Sequence, residues 1–367
     1  MLRNLGMQLN NNKRDVQLDM YRGLSILYVV CFIHVLYWLN IGKQPFMSMI
    51  LFEMPVIFFI SGASLSFSKN PRPVKKTLKS RFYRLLLPYY IYAAVMVVIV
   101  AALSVIWNIW YPDIEMVFGT KAASKYMFNI TEYTWSDFVA IMKTTDIPQS
   151  PYIWHLWFIK PYLLLSCTFD VQKKILLNVN RGGYLCICTL MFISADIFTS
   201  SELLRTLLFY NIFMVMGFCY YKDCKEHIVM LTGFVSAVFV LLLIYVFHID
   251  FCPMQSHKFP PDTLFLFYNI SIICILSIIM KRITIPEWKI LRIWNERGYT
   301  LYLYQSIVFF VVYGIHLAIV KKIPSVIAQA IICSSLIFVI STVVSFASYN
   351  MEVKITRFIK NIINYST

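Results

Sequence analysis

The chain has 367 residues, 59% of them hydrophobic and 14% charged, with 29 Phe, 24 Tyr and 8 Trp. Soluble domains run near 45–50% apolar and about 25% charged, so a water-soluble globule is excluded, as are collagen, intrinsic disorder and a disulfide-stapled secreted module. The net charge of +15 does not mark a nucleic-acid partner, because the basic residues gather on alternate connections between apolar runs, which is the pattern of membrane topology.

A bilayer core requires about 20 mostly apolar residues per helix. Ten runs are read as spans, at 22–40, 46–67, 85–109, 152–169, 184–198, 204–221, 228–249, 262–280, 298–319 and 325–348, the fifth being the shortest. The predicted fold is an all-α polytopic membrane protein of about ten transmembrane helices: an N-terminal tail 1–21, a transmembrane domain 22–348 and a C-terminal tail 349–367. The first span does not read as a cleavable signal peptide, since polar residues precede it and no small-residue cleavage site follows. Placing both tails in the cytoplasm puts 24 Lys and Arg on inner segments and eight on outer connections, with Lys160 inside a span. The positive-inside rule therefore sets both termini inside. Lys321 and Lys322 are the exception, on an outer connection.

An ionisable group within a span is a functional candidate by default, and four qualify. Arg22 stands at the inner end of the first span, three residues after Asp19, a spacing that pairs them across a helical turn. His34 follows in the same span among apolar neighbours. A neutral imidazole there can take a proton from a hydroxyl and return it, or it can tie two helices together by a hydrogen bond. His34 lies twelve positions after Arg22, about 18 Å of helical rise, so the two cannot touch.

In the second span Glu53 precedes Pro55, which is expected to kink the helix and free a carbonyl. His155, Trp157, Lys160 and Pro161 form a comparable cluster in the fourth span, and a Glu53–Lys160 ion pair would compensate two intramembrane charges. Between these spans, the inner segment 69–84 carries seven cations and no acid. That suits lipid headgroups or the phosphates of a nucleotide-like ligand. The longest connection, 110–151, is placed outside. The nine cysteines lack metal-ligand or redox-pair spacing and read as free thiols. No P-loop, dinucleotide fingerprint, zinc signature or nucleophile elbow is present, and no metal site is expected.

Five segments resemble, in order, motifs of the integral-membrane acyltransferase-3 family, which includes bacterial O-acetyltransferases acting on envelope polysaccharides. Asp19-Met-Tyr-Arg22-Gly23, running on to His34, resembles the family's opening D-x-x-R-G and histidine. Met54-Pro55-Val56-Ile57-Phe58-Phe59-Ile60-Ser61-Gly62 is similar to M-P-L-F-F-x-x-S-G. Arg81-Phe-Tyr-Arg84-Leu-Leu-Leu-Pro88-Tyr89 is similar to R-x-x-R-L-x-x-P-Y, and His155-Leu156-Trp157-Phe158 to H-L-W-F. Gly298-Tyr-Thr-Leu-Tyr302-Leu-Tyr-Gln305 resembles the late S-x-x-I-Y-L-x-H. Two departures stand out. Eleven residues separate Arg22 from His34 where the family has ten, a rotation of about 100° unless a bulge absorbs it. The late element ends in Gln305 where many members have His.

The resemblance implies transfer of an acyl group, most often acetyl from acetyl-CoA, to a sugar hydroxyl of a cell-envelope glycan or its lipid-linked precursor, at the bacterial inner membrane. It implies acyl-CoA as a co-substrate with no tightly bound cofactor, and membrane lipids as the surroundings. His34 is the expected catalytic base, or less directly an acyl carrier. Arg22, Arg81 and Arg84 are expected on the CoA phosphates. Glu53, Ser61, His155, Trp157 and Lys160 are the candidates for orienting the base, stabilising the oxyanion or meeting the acceptor. The alternative is an export component for a polysaccharide or lipid-linked sugar, with Glu53, His155 and Lys160 lining a path and His34 relaying protons. The ordered set of Arg22, His34, Arg81 and Arg84 favours the enzyme, because transport alone does not call for a phosphate clamp beside a buried base.

Overall fold

The computed structural model describes residues 15–38, 45–68, 70–96, 98–99, 102, 154–222 and 224–365. Helices build the described chain, and one isolated bridge, Lys258 with Pro261, is its strand-like pairing. In chain order they are α1 (Val16–Leu27), a π turn (Tyr28–Ile33), α2 (His34–Trp38), α3 (Phe46–Met49), α4 (Glu53–Ser66), α5 (Val74–Arg81) and a second π turn (Phe82–Leu86). A helical run 87–96 and a 3₁₀ turn (Trp154–Phe158) come before α6 (Ile159–Leu176) and α7 (Arg181–Phe198). Then follow α8 (Glu202–Tyr220), α9 (Glu226–Tyr245), α10 (Thr263–Arg282), α11 (Lys289–Glu296), α12 (Gly298–Ala318) and α13 (Val326–Tyr365).

Eight helical stretches among the described residues are long and apolar enough to cross a bilayer, and the chain is an all-α multi-pass membrane protein. They coincide with the first, second and fifth to tenth predicted spans. The third predicted span is described only in part, and the connection 110–151 lies outside the described residues. The nine cysteines are free thiols.

Local chemistry explains where the helices begin. Asn180, Ser201 and Asp262 each accept a backbone N–H three residues on, capping α7, α8 and α10. Pro55 does not kink a continuous helix. The backbone breaks at Ile50–Phe52 and α4 starts afresh at Glu53, so the proline sits in the first turn, where its missing N–H is not needed, and the Glu53 carboxylate favours the positive helix end. Pro161 opens α6 in the same way.

The fourth predicted span is displaced. Its α-helix begins at Ile159 and runs past 169 to Leu176, through Asp170, Lys173 and Lys174. Charge alone suggested a connection there, but Lys173 is buried and donates to the Leu65 and Ser68 carbonyls at the C-terminal end of α4, while Asp170 accepts the Arg72 N–H at 3.2 Å. Carbonyls left open at a helix end are natural partners for a cation. At the other extreme α13 has 40 residues, about 60 Å of rise and roughly twice a bilayer core, and it continues as helix through Lys354, Arg357 and Lys360.

The chain divides into two compact units. The first comprises Met1–Ser25, Gln44–Arg72 and Thr168–Asn295. At its heart α4 crosses α8 with the two backbones touching: a Cβ on Gly62 would lie 1.8 Å from the Met214 carbonyl oxygen, and one on Gly217 would lie 1.9 Å from that of Phe59. Phe209 stacks on Phe265 at 5.2 Å beside this crossing. The second unit comprises Ile26–Lys43, Pro73–Cys167 and Glu296–Thr367. In it α12 pairs with α13 and receives Tyr92 of the run 87–96, whose hydroxyl lies 2.8 Å from Ser306 and whose ring meets Tyr304 edge-on at 5.1 Å.

Candidate active site

In the second unit, three segments far apart in sequence meet around Tyr302. The first is the π turn that ends at His34. The His34 N–H reaches back to Val29 O, five residues earlier, so one residue more than an α-turn holds is looped into the helix. This is the bulge that the eleven-residue spacing after Arg22 requires, and it takes up the extra residue. Nδ1 of His34 lies 2.8 Å from Oε1 of Gln305. An amide carbonyl only accepts, so Nδ1 carries the hydrogen, and Nε2 is left with its lone pair as the basic nitrogen.

The second segment is α12. The Tyr302 ring lies 6.1 Å from that of His34, and its hydroxyl donates to the His155 carbonyl at 2.6 Å. The third is the 3₁₀ turn Trp154–Phe158. His155 is buried and its Nε2–H donates to Leu303 O at 3.3 Å, while Phe158 meets the Tyr302 ring edge-on at 4.5 Å. Trp157 and Lys160 of this segment are half-buried. His34 and Gln305 stand 271 residues apart in sequence, and His155 and Leu303 148. The resemblance thus points to segments that the fold brings together within this unit.

The same unit carries Arg81 and Arg84. Both flank or occupy the second π turn, where the Leu87 N–H reaches Phe82 O. Tyr299 ties the turn to α12 through a 3.0 Å bond to Leu85 O, and the Lys360 ammonium of α13 lies 4.8 Å from the Tyr83 ring. Arg84 is exposed, whereas Arg81 is half-buried, with its Nε buried and unpartnered among the described residues. A cationic surface with two forked guanidinium groups suits phosphate oxygens.

The first unit holds Arg22, Glu53 and Ser61. Arg22 pairs with Asp19 at 3.3 Å, as their spacing predicts, and also bonds Asn295 at 3.4 Å and the Ser64 hydroxyl. Gly23 beside it lets α1 close on α11, since a Cβ there would lie 2.3 Å from Leu291 O. Ser61 donates to Ile57 O of its own helix at 2.8 Å. The expected Glu53–Lys160 ion pair is overturned: the buried Glu53 carboxylate binds Lys258, itself buried. The sequence reading assigned Lys258 to an outer connection. Prolines at 253, 260 and 261 fold that connection compactly, and the buried Met254 N–H bonds Ser48 at 3.0 Å.

Two residues were missed as partners. Gln305 drew notice only as a departure, and nothing local to it signals a histidine 271 residues away. Lys258 was counted as an outer charge, although a lysine set between Cys252-Pro253 and Phe259-Pro260-Pro261 lies in an unusually apolar connection. No group of His, Cys, Asp and Glu among the described residues is arranged to hold a metal ion.

A family model described as an acyltransferase domain matches residues 15–349. No curated protein matches the chain, and no solved structure does.

Proposed function

The chain belongs to the acyltransferase-3 family and is a membrane acyltransferase, and from that premise we propose that it moves an acetyl group from acetyl-CoA to a sugar hydroxyl of an envelope polysaccharide or its lipid-linked precursor. The bacterial cytoplasmic membrane is its proposed location, with both termini in the cytoplasm, as the bias of 24 basic residues against eight supports.

His34 is the general base. Its Nε2 takes the proton of the acceptor hydroxyl as that oxygen attacks the thioester carbonyl. The C–S bond then breaks as the tetrahedral intermediate collapses, and the proton on Nε2 passes to the departing CoA thiolate, which leaves an ester and free CoA. Arg81 and Arg84, in the same unit as His34, are the proposed partners of the CoA phosphates. Trp157 and Lys160 of that unit are the proposed groups for the oxyanion or the acceptor.

The observation that carries this reading is the hydrogen bond between His34 Nδ1 and the Gln305 carbonyl, because an acceptor on Nδ1 selects the tautomer in which Nε2 is the basic nitrogen. The test compares envelope glycan, purified and examined by NMR, from cells lacking the protein and cells expressing wild type or His34→Ala at matched membrane levels. An ester present with wild type and missing with His34→Ala is the expected outcome, and its spectrum identifies the acyl group and the acceptor. Identical esters in all three, with a change in the amount or location of a glycan, would overturn the reading in favour of export.

A further inference from the structure

We propose that Gln305 is the positioning residue of this enzyme: its side-chain carbonyl holds His34 in the Nδ1–H tautomer and aims Nε2 at the acceptor hydroxyl. The proposal rests on the reading of His34 as the base and adds a second residue to it.

Three observations carry it. The first is rigidity. Gln305 is 2% exposed and its neighbours along α12 are pinned on both sides. Tyr304 and Ser306 are held by the one Tyr92 side chain, and Tyr302, almost one turn earlier, is held by the His155 carbonyl and by Phe158. A carbonyl fixed this firmly imposes its direction on the imidazole rather than following it.

The second is on the histidine side. The π turn ending in the His34 N–H to Val29 O bond sets the register from which the side chain reaches α12. An α-helical continuation would carry the ring about 100° round the axis, away from the amide.

The third is the cost of the amide itself. Nε2 of Gln305 is buried and has no hydrogen-bond partner among the described residues. Buried donors are almost always satisfied, and a Leu or Met here would remove the unmatched group at once. The glutamine is worth keeping for its carbonyl, which makes the 2.8 Å bond to His34.

The choice of an amide also follows from the setting. A carboxylate would select the same tautomer, as in hydrolase triads, but it places a charge inside a membrane span. Glutamine selects the tautomer with no charge. Among the described residues, Tyr302 faces the His34 ring and His155 stands behind Tyr302. The helix α13, which packs on the π turn and α2, contributes Cys333 and Tyr349 and, just beyond them, the buried Glu352, which accepts from Thr300 of α12.

The experiment measures acetyl transfer to endogenous glycan in membrane vesicles supplied with acetyl-CoA, across pH, for wild type, His34→Ala, Gln305→Leu, Gln305→Met and Gln305→Glu, each normalised to folded protein by size exclusion in detergent. The apolar variants are expected to lower kcat about 10- to 100-fold, within the range general-base catalysis supplies, with the KM for acetyl-CoA unchanged. Gln305→Glu keeps the acceptor and is expected to stay active at high pH, while the acid limb of its rate profile moves to higher pH because the added carboxylate favours imidazolium. Methionine matches glutamine in shape, so it decides the matter if leucine impairs folding. Wild-type kcat in the folded apolar variants, or an unmoved pH profile in Gln305→Glu, overturns the positioning role while a loss with His34→Ala leaves the base reading intact. Full activity in His34→Ala overturns both.

Discussion

Two buried polar clusters, one in each unit, are built on opposite principles. Around Tyr302 the members are neutral: an imidazole, an amide, a phenol and backbone carbonyls. Around Glu53 they are ions, a carboxylate and an ammonium bound to each other. The ionic pair engages one oxygen of Glu53, and the other, Oε2, is buried without a hydrogen-bond partner among the described residues. Its two charges compensate each other, and separating them leaves an unpaired charge in a low-dielectric interior. The neutral cluster joins three segments and carries no net charge. On this comparison we propose that the ionic pair serves the fold and the neutral cluster the chemistry.

The largest expected effect falls on that site. His34→Ala is predicted to lower ester formation about 10²–10⁴-fold without reducing the amount of folded protein, measured by glycan NMR beside quantitative immunoblotting of membranes. Next come the single changes at the ion pair. Glu53→Leu or Lys258→Met alone strands the other charge and is predicted to destabilise by about 3–5 kcal/mol, whereas the double change recovers most of that loss; thermal unfolding in detergent reads both. A recovery in stability without recovery of ester formation would give Glu53 a chemical role and break the comparison.

A smaller effect sharpens it. Gly62→Ala places a methyl against the Met214 carbonyl, so α4 and α8 must separate. Overpacking of this kind costs about 1–3 kcal/mol, and the prediction is a lower thermal midpoint with unchanged activity per folded molecule. The motif glycine then belongs with the fold, as the ion pair does.

The smallest effect is pH-dependent and lies in the connection that carries Lys258. His257 donates to Asp262 at 2.5 Å and to the Asp250 carbonyl at 2.6 Å, so both ring nitrogens carry protons. Its pKa stands above the ordinary histidine value, chiefly through Asp262. Stabilisation from a raised pKa is complete below the unfolded-state value and is lost as pH rises through the folded-state value. The thermal midpoint is therefore predicted to fall as pH rises above the ordinary histidine value of about 6.5, with that part of the fall missing in His257→Gln.

Much of this was legible in the sequence, for reasons that differ by residue. His34 was visible because an ionisable group in an apolar run has few reasons to be there. The bulge was visible as one residue too many after Arg22. Spans were visible wherever charge and helix end coincide, and misplaced where they do not: Lys173 reads as a connection until the open carbonyls of Leu65 and Ser68 are seen to receive it. Partners were the hidden part. Gln305 and Lys258 act on residues 271 and 205 positions away, and the sequence has no local periodicity that reports such pairs.

One comparison tests the division of labour most directly: ester content of purified envelope glycan, per folded molecule, for His34→Ala against the Glu53→Leu/Lys258→Met double variant. The predicted result is no ester with the first and near wild-type ester with the second. Ester retained in His34→Ala but lost in the folded double variant would contradict it and move the chemistry to the ionic cluster.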